Sequence, residues 1–337
     1  MNDDGGTPDR GTDPLRLVID TDTASDDAVA LLLACAEPMT EIEAVTTVAG
    51  NVPLDVATRN ALITLGMAGR GDVPVYPGCA RPLRRPPETA QHVHGADGMG
   101  DVGLPDPARS AQSAHAVERL LELARSRPGE LTLVTLGPLT NIAAALVRDR
   151  DLLRRFRHVY SMAGASDAQG NVSPVAEFNV WADPEAAAVV LDAGGPITFV
   201  GWDVSRRYAV LDPDDQARLL AMGTVRADFA HRINRSVAEW AATVTGLKGY
   251  DLPDPIAMAV ALRPEIARVI ERVHATVAVG DEARGALLVD RRVNAPAGNV
   301  DLVRVVDSAA FKEMLFEACA KGPRMADTLV HGAGGPR

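Results

Sequence analysis

The segment VIDTDTASDDAVALLLA, Val18 to Ala34, holds four aspartates within eight residues: Asp20, Asp22, Asp26 and Asp27. Like charges this close repel unless they bind a counter-ion or share protons, so the crowding needs a chemical reason. In an extended segment, residues two apart face the same side, which points Asp20 and Asp22 together. Ser25 is placed to cap a following helix, with Asp26 and Asp27 in its first turn. Successive helical positions diverge by about 100°, so those two acids cannot do the same job. Helix capping accounts for Asp26 and Asp27, each worth about 0.3–1 kcal/mol against the macrodipole, but not for the strand-end pair. A bound divalent cation removes the repulsion, and oxygen-only ligands favour a hard ion, Ca²⁺ or Mg²⁺.

A second polar concentration, NVSPVAEFN, carries Asn171, Glu177 and Asn179 interleaved with Val, Pro and Phe178. In an extended chain Glu177 and Asn179 share a face. An ordinary turn with polar punctuation would look the same. A sugar needs several fixed donors and acceptors converging in an otherwise apolar pocket, and this run could supply them.

The elements that must position these residues are read from short β-rich runs: LRLVID, IEAVTTVAG (42–50), LTLVTL (131–136), HVYSMAG (158–164) and ITFVGWDV (197–204). They alternate with helical patterns at 26–36, near 53–68, at TNIAAALVR and at PEAAAVVLDA. Alternation of this kind predicts βαβ units, an α/β fold and a mainly parallel central sheet flanked by helices, with ligands at the carboxyl ends of its strands. Beyond about 210 the chain is more helical, with late strands near 286–293 and 300–306 and a closing helix at about 308–320. No repeat or linker divides it. One domain, 16–321, is expected between polar or glycine-rich mobile tails at 1–15 and 322–337.

At 337 residues, 47% hydrophobic and 23% charged, the chain can bury a sizeable core. A net charge of −11 argues against a nucleic-acid or membrane partner, both of which need basic patches. Three separated cysteines suit a reducing compartment and offer neither a disulfide framework nor a zinc knuckle. The acidic, Gly/Pro-rich N-terminus is the reverse of a signal peptide, and no apolar run reaches ~18 residues. A cytoplasmic, soluble protein is expected.

The acidic segment resembles the opening signature of the nucleoside hydrolases, a DxDxxxDDA pattern read here from Asp20 to Ala28. The resemblance continues in order through TTVAGN (46–51), HVHGADGMG (92–100), LGPLTNIA (136–143), GNVSPVAEFNVWADPEAA (170–187) and LPDPIAMAVAL (252–262). It implies a Rossmann-like sheet and hydrolysis of the N-glycosidic bond of ribonucleosides, giving ribose and free base. It implies a Ca²⁺ held by Asp22, Asp27, the Leu136 carbonyl and Asp254, which readies a water whose proton Asp22 takes as general base. Asn171 and Glu177 would hold the 5′-hydroxyl, and Asp26, Asn51 and Asn179 the 2′- and 3′-hydroxyls, with Phe178 as an apolar wall. A homodimer or homotetramer is also implied, serving nucleotide salvage or a specialised pathway.

The match breaks at Pro253, where many members carry a His that protonates the departing base. Pro253 has no proton to give, which leaves His94, Tyr250 and Trp240 as candidates to assist the leaving group and the nucleobase open. Two other functions compete. Asp20-Thr21-Asp22 could be the DxD of a haloacid-dehalogenase-like phosphatase, although Ala24 stands where that motif wants Thr or Val. Such an enzyme also needs a lysine at the phosphate, and only Lys248, Lys312 and Lys321 exist. A nucleoside-binding homologue without turnover is the other, with Pro253 as its only support. The GxGxxG match at Gly98–Gly103 fails because no strand precedes it.

Overall fold

The computed structural model describes residues 13–167 and 170–325. Eleven strands are found there: β1 (Leu15–Thr21), β2 (Thr40–Thr47), β3 (Val75–Pro77), β4 (Leu131–Thr135), β5 (His158–Met162), β6 (Ile197–Val200), β7 (Val210–Leu211), β8 (Tyr250–Asp251), β9 (Ala267–Val277), β10 (Leu287–Asp290) and β11 (Val300–Val306). Nine form one sheet in the order β10-β9-β11-β6-β5-β4-β1-β2-β3, and β7 pairs with β8 in a separate ribbon. From β3 across to β11 every pairing is parallel, and only the pairings of β9 with β11 and with β10, at one edge, are antiparallel. This is a single α/β domain with a mainly parallel sheet flanked by helices, as the alternating pattern predicts.

The central strands are apolar on both faces because helices cover both. All five residues of β4 and the last five of β1 are buried. β1 lies between β2 and β4, so the chain leaves it in one direction and later returns on its other side. That reversal opens a crevice beyond the carboxyl end of β1, the place where such sheets take ligands.

Two helices aim into this crevice. Ser25–Ala36 and Pro253–Leu262 are buried almost throughout and pack against each other. A helix that is apolar all round has no outer face to show to water. Their N-termini carry Asp26 and Asp27 in one case and Asp254 in the other. The positive end of each helix dipole offsets part of the acid charge assembled between them. Pro253 opens its helix at the position where a fixed φ helps and a missing N–H costs nothing.

Four local expectations change. The first helix begins at Ser25 with Ala24 at the cap, so the Ser25 side chain caps nothing. β9, whose run ARVIERVHATV is charged and half-exposed, has no counterpart in the sequence reading. The helical stretch after 224 divides into Val225–Ile233, Arg235–Trp240 and a π-helical turn at Ala241–Thr245. β1 starts at Leu15, and residues just past 321 are tied down: Arg324 bridges Thr224, and Met325 N–H donates to the Gly223 carbonyl at 3.0 Å. The rest of both expected tails, 1–12 and 326–337, lies outside the described residues. Among the described residues, no helix is long and apolar enough to cross a membrane.

Candidate active site

A cavity of about 360 Å³ opens over the crevice. Asp26, Asn51, His94, Leu136, Asn171, Glu177, Phe178, Asn179 and Asp254 all line it, so most residues singled out in the sequence converge there. Asp22 and Asp27 lie at the base of the site, fully buried. The carboxylate oxygens of Asp26, Asp27 and Asp254 come within 4.8 Å of one another. Asp22 is close enough to both Asp27 and Asp26 to be acted on by their charge.

Asp22 and Asp27 are held by backbone and hydroxyl donors rather than by a base. Asp27 accepts from Thr21 Oγ1 at 2.5 Å and from Ala24 N–H at 2.9 Å. Asp22 Oδ2 accepts from Asn51 N–H at 2.5 Å. The turn after β2 that supplies this amide has Gly50 beside it, where any side chain would strike the Asp22 carboxylate; a Cβ at Gly137 would likewise fall 2.8 Å from Oδ1. Burial, then the neighbouring acids, push Asp22 and Asp254 well above the usual carboxylate range. Burial lifts Asp26 and Asp27 to about 6. Asp22 Oδ1 and Asp26 Oδ1 are buried without a hydrogen-bond partner among the described residues.

Asp20 is set apart from this group. Its Oδ1 accepts from Thr46 Oγ1 at 2.5 Å and Asn141 Nδ2 at 2.8 Å, and burial raises it to about 7. It does not line the cavity, which removes it as the nucleophile of a phosphatase, and Lys312 is engaged by Asp215 elsewhere.

The second polar run forms a cap, not an extended strand end. Glu177 caps the short helix Phe178–Ala182 and accepts from the N–H groups of Asn179 (2.6 Å) and Gly164 (2.8 Å). Burial lifts Glu177 to about 7 despite those donors. Asn171 Oδ1 accepts from Phe178 N–H at 2.9 Å. Asn179 Nδ2 donates to the Leu136 carbonyl at 2.6 Å and the Met162 carbonyl at 3.1 Å, tying the ends of β4 and β5 to this cap.

Around the remaining wall, His94 Nδ1 meets Ser25 Oγ at 2.8 Å, and burial lowers its pKa to about 4, leaving the ring neutral. Tyr250 is displaced from its expected place: it is 1% exposed, packs in the main core and is absent from the cavity lining. β8 explains this, because adjacent strand residues point to opposite sides and Asp251 takes the cavity side. Asp251 accepts from Ser205 Oγ at 2.7 Å and is hydrogen-bonded to Trp202. Arg206 stacks on the Trp202 ring at 5.2 Å. All three tryptophans of the chain, Trp181, Trp202 and Trp240, line the cavity. Their scarcity is the available sequence signal, and of the three only Trp240 is a candidate from sequence.

Residues 17–313 match the family described as inosine-uridine preferring nucleoside hydrolase. A uridine nucleosidase of Arabidopsis thaliana is 39% identical over 255 residues, 74% of this chain and 75% of its own length. A pyrimidine-specific ribonucleoside hydrolase of Photobacterium profundum is 36% identical, covering 90% of this chain and 98% of its own. The solved structure of a plant nucleoside hydrolase superposes with a TM-score of 0.87 at 29% identity, over 92% of this chain and 100% of that one. With the buried acids at the strand ends and the polar cap facing them, these matches establish that the chain belongs to the inosine-uridine preferring nucleoside hydrolase family, whose reaction is hydrolysis of a ribonucleoside N-glycosidic bond.

Proposed function

We propose that this chain hydrolyses ribonucleosides in a Ca²⁺-dependent reaction, with the cavity holding the nucleoside over the acid cluster. The observation that carries it is the pair of buried, unpartnered oxygens, Asp22 Oδ1 and Asp26 Oδ1, in a site made only of oxygen donors. The groups acting most strongly on these acids are other acids and hydrogen-bond donors, not Lys or Arg. A hard cation fits such a donor set. Asp22, Asp27, Asp254 and the Leu136 carbonyl would hold it. Bound there, Ca²⁺ neutralises the crowded charge and makes a water more acidic.

The protein groups then divide the work. Asp22 takes a proton from the attacking water through Oδ1. The water oxygen bonds to C1′ as the C1′–N bond breaks, and the base leaves with that electron pair and takes a proton from solvent. Asp26 lines the cavity together with Asn51 and Asn179, and the three face the 2′- and 3′-hydroxyls. Glu177 and Asn171 receive the 5′-hydroxyl, and Phe178 shields the sugar from water. Negative charge beside the ring stabilises the oxocarbenium-like state. Trp202, clamped by Asp251 and Arg206, gives the base a rigid aromatic face. Pro253 needs no loss of catalysis to explain it, since it starts the helix that presents Asp254.

The working protein on this reading is a cytoplasmic homodimer or homotetramer with a nucleoside as its small-molecule partner. The test is a panel of purine, pyrimidine and modified ribonucleosides with Ca²⁺. Release of free base and reducing sugar is expected. Saturable binding without either product would mean a sensor instead.

A further inference from the structure

Ser25 stands one position inside the first helix, so its hydroxyl is not spent on capping. It reaches instead to Nδ1 of His94 at 2.8 Å, and both side chains are buried. Among the described residues this is the only hydrogen bond of the Ser25 hydroxyl. A hydroxyl has one proton to donate, and a neutral imidazole has one bare nitrogen to receive it. With no other acceptor in reach among the described residues, the Ser25 proton belongs on Nδ1, and the ring keeps its own hydrogen on Nε2. Asp26 Oδ1, at 3.9 Å from Nδ1, is too far to compete. Nε2 makes no bond to protein among the described residues, while His94 lines the cavity.

We propose that Ser25 is a positioning residue for departure of the base: it locks His94 in the Nε2–H tautomer and turns that N–H into the cavity toward a base nitrogen or carbonyl oxygen. This rests on the reading of the cavity as the nucleoside site. As the C1′–N bond breaks, its electron pair moves onto the base, and a fixed donor there stabilises the developing charge. No proton has to leave His94. The assignment also supplies what Pro253 lacks, a hydrogen-bond donor at the leaving group, from a different element of the fold.

The test compares Ser25→Ala, Ser25→Thr and His94→Ala in the Ca²⁺-loaded protein on a ribonucleoside and on 4-nitrophenyl riboside, whose aglycone departs as a stable anion unaided. For Ser25→Ala the ratio of nucleoside to nitrophenyl-riboside turnover should fall by about tenfold, the weight of one hydrogen bond. Ser25→Thr should restore it, and nitrogen NMR should show a bare Nδ1 on His94 in the unmodified protein. Equal losses on both substrates would make Ser25 merely structural and overturn the proposal. So would an unchanged ratio in Ser25→Ala alongside a depressed one in His94→Ala, which leaves His94 in place without Ser25. An unchanged ratio in both variants would remove His94 as well. Failure of the unmodified protein to cleave either substrate would overturn the nucleoside-site reading and this inference together.

Discussion

Replacing Gly50 by Ala adds one methyl group at the most crowded point beneath the active site. The new Cβ would overlap Asp22 Oδ2 and stand 2.8 Å from Asp22 Cγ and 2.6 Å from Pro138 Cδ. Carbon atoms settle at about 3.5–4.0 Å, so the contact must open by about 1 Å. The backbone is not the obstacle, because Gly50 is not among the glycines in the left-handed region. Asp22 has little room to retreat: it is fully buried, and the space over Gly137 is so narrow that a Cβ there would stand 2.8 Å from its other oxygen. The carboxylate must swing away from the Asn51 amide that now fixes it. A displacement of about 1 Å at a reacting group costs about a hundredfold in rate, or about 3 kcal/mol in the barrier. Gly50→Ala should therefore fold, lose about a hundredfold in kcat, and bind Ca²⁺ more weakly by calorimetry. A variant with kcat within about threefold of normal and undiminished Ca²⁺ affinity would refute the claim that Asp22 is held by steric exclusion.

Asp22→Ala should abolish turnover while ribonucleoside binding persists; undiminished activity would take Asp22 out of the mechanism. Burial raises Asp26 and Asp27 to about 6 and Asp20 to about 7, above the 3.8 of an exposed aspartate. In a chelator the folded state therefore binds more protons than the unfolded one between roughly pH 4 and 7, so stability falls as pH rises through that window. Ca²⁺ takes the place of the protons on the clustered Asp26 and Asp27, and its gain in Tm should be larger at about pH 7.5 than at about pH 5; equal gains would contradict the shared site. Tyr250→Phe should leave kcat and KM within about twofold and stability equal or slightly higher, because the buried hydroxyl has no partner among the described residues. A selective loss of kcat there would return Tyr250 to the site.

The acid cluster was legible because charge repulsion is a property of composition and spacing alone. So was the place of β1, since an apolar run before a helix start reads the same in any fold. What escaped depends on neighbours distant in sequence. Ser25 carries the signature of a cap, and only the fold brings His94 to its hydroxyl. The Tyr250 and Asp251 pair lies on a two-residue strand, too short to show alternation, so the aromatic drew notice and the acid did not. Spacing puts Glu177 and Asn179 on one extended face, but the Glu177 carboxylate captures the amides of a new helix and turns the chain. β9 is next to last in the sheet, covered by β10 only over His274–Val277, and its many exposed, charged positions hide the strand signal. The Leu136 carbonyl is reached only through the resemblance, and the Met162 carbonyl and the space left by Gly50 and Gly137 carry no side-chain signature of their own.

The cation claim is tested most directly by following free-base release from exhaustively chelated protein as Ca²⁺ is titrated back. The structure predicts no turnover in chelator and a saturable return of rate, absent in an Asp254→Ala variant that still folds. Full turnover with the chelator in excess would contradict it.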